Sequence, residues 1–212
     1  MAGKLKLNPW KEIWLRPRET IRAIVNFNPK YRFLVLSFIY GLPLALNFAQ
    51  SGSLTETVPL WSILLASAVI APFVGALGIC VCALLLFWTG KWIGGAGNFP
   101  KIRAAVSWSN VPNIVTIALW GVLVGIFGSQ AFLSTFADTV FVGYQAGVIF
   151  IVFLLESIVS VWGFIILLRA LGEVQGFSIW RALLNVIIPL LLIVIVIWLA
   201  GWVISSTHII VK

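Results

Sequence analysis

Apolar positions gather along this chain in long runs separated by short polar stretches, and that alternation predicts its elements. The runs cover about 33–49, 60–92, 112–127, 143–168 and 180–204. A helix needs roughly 20 apolar residues to cross a hydrocarbon core ~30 Å thick. The pattern therefore predicts an all-α polytopic membrane protein, a bundle of five transmembrane helices. The second run is too long for a simple crossing, since ~1.5 Å per residue carries it to ~50 Å. It must tilt, protrude or bend, and Pro72 with Gly75 and Gly78 marks the expected bend.

The polar stretches have their own order. Residues 1–32 form a basic, aromatic segment in which Asn8 can cap a helix with Pro9 at its first position. Trp10, Ile13 and Trp14 then share one face. Pro17 opens a second piece that gathers Ile21, Ile24 and Val25 while Arg18, Glu19 and Arg22 point away. The expected structure is an amphipathic helix pair lying on anionic lipid, with Trp10 and Trp14 down and Arg16, Arg18 and Arg22 beside the headgroups. A docking surface for a cytosolic partner is the alternative.

Between the second and third runs, "GGAGNFPKIR" is glycine-rich and basic. Its spacing matches no phosphate-binding loop. A tight elbow is expected, followed by a short interfacial helix, "KIRAAVSW", whose Lys101 and Arg103 could meet a lipid phosphate. Before the fifth run, Gly172 is the expected stop of one helix and Ser178 the N-cap of the next. Arg181, in that helix's first turn, is expected to snorkel to phosphates or bond a neighbouring loop. Residues 205–212 form a short tail.

Charge orients the bundle. Thirteen Lys and Arg residues lie in the N-terminal segment and the loops on its side, against Lys212 alone on the other. This asymmetry predicts a cytoplasmic N-terminus and a C-terminus on the opposite face, outward or in a lumen. Trp88, Trp92, Trp108 and Trp180 then fall near the inner boundary, and Trp61 and Trp202 near the outer one. Composition agrees: 61% hydrophobic and 9% charged, with a mean hydropathy of +1.10, whereas soluble domains are about a quarter charged. The net charge of +8 is concentrated at one membrane face, so it does not point to nucleic acid. No signal-peptide pattern opens the chain.

Candidate chemistry is sparse. Cys80 and Cys82 sit two apart on one helix and do not face each other. His208 is the single histidine and offers no metal site, and no cofactor is expected. No nucleophile, base or carboxylate pair stands out, which argues against an enzyme. Gly121 and Gly125 form a GxxxG, and Ala71 with Gly75 a small-xxx-small pair. Packing within the bundle is the expected use of both, with a homo-oligomer seam as the alternative.

One residue breaks the apolar pattern. Glu156 lies midway along the fourth run, where a charged carboxylate costs about 2.5–3.5 kcal/mol on insertion scales. Ser157 and Ser160 are its neighbours on that helix, and Asn47, Ser67 and Thr116 are at similar depth on others. With no cation at that depth, a neutral carboxyl sharing a hydrogen bond is expected. A proton- or cation-coupled pathway is the alternative.

Three stretches carry a family resemblance: "NPWKEIWLRPRETIRAIV", "GGAGNFPKIRAAVSWSNVP" and "LGEVQGFSIWRAL". In them the chain resembles the prokaryotic branch of the Yip (Ypt-interacting protein) family of integral membrane proteins. The resemblance implies five spans, a cytoplasmic N-terminus and, for the prokaryotic branch, a bacterial inner membrane. Eukaryotic relatives bind prenylated Rab-type GTPases and partner membrane proteins. This chain has a short N-terminal part and lacks their "DLYGP"-type motif, so a Rab-type GTPase is not carried over as a partner. The reading is a non-enzymatic membrane scaffold or adaptor organising lipids or membrane proteins. A small permease or proton-linked carrier using Glu156 is the rival.

Overall fold

The computed structural model describes residues 7–210, with side chains for all of these except Ala137 and 203–210. Lys4, Lys6 and Lys212 therefore lie outside the described residues, as does the side chain of His208. Among the described residues eight α-helices follow one another: α1 (Pro9–Glu12), α2 (Pro17–Phe27), α3 (Phe33–Ser51), α4 (Leu60–Trp92), α5 (Phe99–Ser109), α6 (Asn113–Phe127), α7 (Tyr144–Gln175) and α8 (Ile179–Ile210). Short 3₁₀ turns lie between α3 and α4 and between α6 and α7, and the described residues contain no strand. Five segments are long and apolar enough to cross a membrane: α3, α4, Phe99–Phe132, α7 and α8.

The third crossing is built differently from the pattern's expectation. Helix α6 has 15 residues, or ~22 Å, short of a ~30 Å core. Helix α5 precedes it in the same apolar segment, and the two are separated by the turn 110–112, which ends on Pro112. Far from lying on the surface, α5 buries Ile102, Val106 and Trp108 together with small residues on its other sides. Ala104, Ala105, Ser107 and Ser109 let α4 and α7 close around it.

Helices α3 and α4 make the tightest pair. A Cβ at Gly41 would collide with the Ala71 carbonyl, and one at Gly75 with the Ser37 carbonyl. Ala71 and Gly75 thus serve packing within the bundle. Helix α4 runs unbroken through Pro72. Gly121 and Gly125 behave in the opposite way: both are exposed, and a Cβ on either would meet nothing within 4 Å. The GxxxG of α6 faces outward, away from the packing expected of it.

Helix ends follow the capping chemistry, with one displacement. Asn8 accepts from Trp10 N at 3.2 Å, and Asn98 from Lys101 N at 3.2 Å. Ser178 Oγ accepts from Arg181 N at 3.4 Å. Helix α7 passes through Gly172 and stops at Gly176, whose φ of 73° is left-handed and costs glycine little. Phe177 N then donates to the Gly172 carbonyl at 2.8 Å.

Two clusters form the core. One lies at the end of the bundle shared by α1, α2 and α5, and holds Ile13, Ile21, Ile24, Trp108, Ile166 and Leu171 among others. The second lies at the far end, around Leu119, Trp120, Leu123, Phe127 and Phe132.

Candidate functional site

The basic end is a packed unit. Ile13, Ile21 and Ile24 are each fully buried, and Thr20 beside them bonds back to the Arg16 carbonyl at 2.8 Å. Trp10 meets the Trp108 ring at 5.2 Å, and Tyr31 stacks on the same ring at 6.2 Å. The amphipathic pair does form, but its apolar face lies against α5 and α7. A buried protein surface there excludes the lipid contact expected of Ile13, Ile21 and Ile24. Trp108, expected at the membrane boundary, is buried for the same reason, whereas Trp88, Trp92 and Trp180 are exposed.

The cations at this end divide into held and free. Arg22 grips Glu173 of α7 with two bonds, Nε to Oε1 at 2.6 Å and Nη2 to Oε2 at 3.0 Å. Its carboxylate partner raises the Arg22 pKa, first through the hydrogen bond and then through charge attraction. The guanidinium expected beside lipid headgroups is therefore committed to the fold. Arg103 is committed too: Cζ lies 4.7 Å from the Phe33 ring centroid and 5.9 Å from that of Phe99. Its Nε and Nη2 are buried without a hydrogen-bond partner. Arg18 extends over Gly172, whose Cβ would lie 3.3 Å from Nη2. Arg16 pairs loosely with Glu19 at 3.9 Å, both exposed to solvent. Lys101 and Arg181 are exposed. Trp14 is half-buried beside Trp162 and Arg169.

The glycine loop has an internal occupant that the sequence did not advertise. Gln175 donates through Nε2 to the Leu86 carbonyl at 3.2 Å, and its Oε1 accepts from Gly97 N at 3.2 Å. Ala96 N donates to the Gln175 carbonyl at 3.1 Å. A Cβ at Gly90 or Gly95 would run into this amide. The glycines thus clear space for one buried side chain, which ties α4 to α7. Thr89 and Asn185 make a second polar tie, α4 to α8, with Thr89 Oγ1 at 2.7 Å from Asn185 Oδ1. Thr89 and Asn185 could have been noticed as polar residues inside apolar runs, the signal that singled out Glu156, whereas Gln175 lies in a polar connection and carried no such signal.

Glu156 lies ~18 Å along α7 from Tyr144. It is half-exposed and makes no hydrogen bond or ion pair among the described residues. It lines a cavity of about 630 Å³ between α3, α6 and α7. Asn47, Gln50 and Thr139 also line it, among aromatic walls that include Trp120, Phe136, Phe141 and Phe153. Gln50 donates to the Ala131 carbonyl at 2.7 Å, and Ser53 and Ser134 hydroxyls meet at 2.8 Å. These bonds hold the α6–α7 connection over the end of α3, and Phe127, Phe136 and Phe141 pack together beneath it.

The other polar residues expected at this depth disperse. Ser157 bonds to its own helix at the Phe153 carbonyl, 2.8 Å away, and faces outward. Ser67 is buried in α4 and Thr116 is half-buried on α6; neither lines the cavity. Ser160 lines a second cavity of about 240 Å³ with Tyr40, Asn110 and Asn113. Ile149, Phe153, Glu156, Ser160 and Leu167 form one stripe of α7, so both cavities lie along a single helix face. Among the described residues no group of His, Cys, Asp or Glu could hold a metal ion.

Five apolar crossings joined by short connections, with cations gathered at one end, define an integral membrane protein of the polytopic α-helical class. Within that class the chain belongs to the Yip1 domain family, which matches residues 11–201 and so takes in α2 to α7 and most of α8. Neither the curated proteins nor the solved structures hold a significant match to it.

Proposed function

We propose that this protein is a non-enzymatic membrane scaffold or adaptor whose basic end faces the cytoplasm and recruits anionic lipid or the acidic surface of another membrane protein. The observation that carries this reading is the docked N-terminal segment. With its apolar face buried, Lys11, Arg16, Arg18, Lys101, Arg169 and Arg181 are presented outward from a rigid base. Fixed cations near a negative membrane surface contribute about 1 kcal/mol each at close range. Exchange of Arg16, Arg18 and Lys101 to Glu leaves the core contacts intact and reverses the face. In protein purified in neutral detergent, co-purified phosphatidylglycerol should fall relative to phosphatidylcholine in the triple variant. An unchanged ratio, with unchanged crosslinking to neighbours in native membranes, removes the reading.

A second reading is favoured by a separate observation, the pair of cavities along α7. A small carrier needs a polar site at mid-depth reachable from one side, and Glu156 with Asn47 supplies polar groups there. Solute flux into proteoliposomes that disappears in Glu156→Gln supports transport; no flux from either protein ends it.

A further inference from the structure

The larger cavity has a chemistry that specifies its guest. A lone carboxylate in an apolar setting is unfavourable unless something cationic or hydrogen-bonding meets it. No Lys or Arg lines the cavity, and Glu156 is the only ionisable group on its wall. The remaining surface is largely aromatic, and ring faces attract ammonium groups once water is excluded. Asn47 and Gln50 add amide oxygens. A volume near 630 Å³ falls in the range that holds a drug-sized molecule, about 300–1,000 Å³.

We propose that this cavity binds a hydrophobic organic ammonium ion, with its cationic nitrogen against the Glu156 carboxylate and its apolar body along Trp120, Phe141 and Phe153. Phe153 is 70% exposed at the cavity's edge, so the guest enters sideways from the hydrocarbon phase. A strongly hydrated inorganic ion would gain nothing from such walls. An anionic or neutral amphiphile would leave the carboxylate unmatched. The inference shares its cavity with the carrier reading but does not need transport, since a bound ammonium ion could equally regulate or stabilise a scaffold.

The probe is phenylbutyltrimethylammonium, compared with its neutral isostere in which carbon replaces the quaternary nitrogen. Binding is measured by calorimetry on the purified protein in nanodiscs of zwitterionic lipid. The wild type should prefer the cation by about tenfold, equal to ~1.4 kcal/mol. Glu156→Gln, which keeps the side chain's shape, should abolish that preference while the neutral isostere binds as before. Ala146→Phe, which fills the cavity from its wall, should weaken both ligands. Equal binding of the two ligands by the wild type would overturn the proposal. So would a preference that survives Glu156→Gln, cation binding untouched by Ala146→Phe, or displacement of the probe by sodium or potassium as readily as by a second organic ammonium. Flux of the same probe is read separately. Selective binding without flux sustains the site and ends the carrier reading, whereas flux without cation preference overturns the site.

Discussion

Helix α5 and the outer part of α8 sit at opposite extremes of burial, and hydrophobicity alone would rank them the wrong way round. Residues 190–202 of α8, "LLLIVIVIWLAGW", are exposed at every position. Helix α5 contains Lys101, Arg103 and two serines, yet it is enclosed by α2, α3, α4 and α7. Lipid tails are as apolar as leucine, so hydrophobicity does not draw helices together inside a bilayer. Close approach and polar ties do. Helix α5 has alanines and serines that allow approach, whereas the outer part of α8 has bulky β-branched residues suited to lipid.

The largest effect should come from closing the tightest approach. Gly75→Leu places its Cβ on the Ser37 carbonyl, and backbone cannot step aside. This variant should fail to yield monodisperse protein on size exclusion in detergent, while Gly121→Leu, with open space around it, behaves as wild type. Equal yields of both would break the contrast. A smaller effect tests α5 against α8. Trp108 is 1% exposed and Trp198 is 68% exposed. Trp108→Ala should cost about 3–5 kcal/mol in a denaturant titration, and Trp198→Ala less than about 1 kcal/mol. The smallest effect belongs to Arg22→Gln. Its guanidinium is solvent-exposed and screened, so the melting temperature should shift slightly at low salt and not at high salt. A large, salt-independent loss would mean that the pair holds α2 in place by more than charge.

These contrasts also mark what could be read from the residues. The crossings were legible as long apolar runs, whose ends move by only a few residues in α3 and α4, but the third run captured only the α6 part of the crossing Phe99–Phe132. The capping of α1 by Asn8 was legible from side-chain chemistry. The fate of the N-terminal apolar face was not, because an amphipathic helix shows the same periodicity whether lipid or protein covers it. Nor was the role of α5, since alternating small and charged residues suit a surface helix as well as a crowded one. Glu156 stood out as a lone acid, and Asn47 lines the same cavity. Gln50, Thr139 and the aromatic walls come from α3, α6, α7 and the α6–α7 connection, and no spacing along one helix could have assembled them.

The most direct test of the account is whether α2 is docked on α7 in the native membrane. In a background with Cys80→Ala and Cys82→Ala, the pair Arg22→Cys and Glu173→Cys replaces the observed ion pair. A short bismaleimide should then link the two cysteines within one chain. A second pair, Ser53→Cys with Ser134→Cys, stands where two hydroxyls meet at 2.8 Å and controls for reagent access at the far end. The account predicts that both pairs crosslink in intact membranes. If the Ser53–Ser134 pair links and the Arg22–Glu173 pair does not, α2 lies on the lipid and the docked basic platform is contradicted.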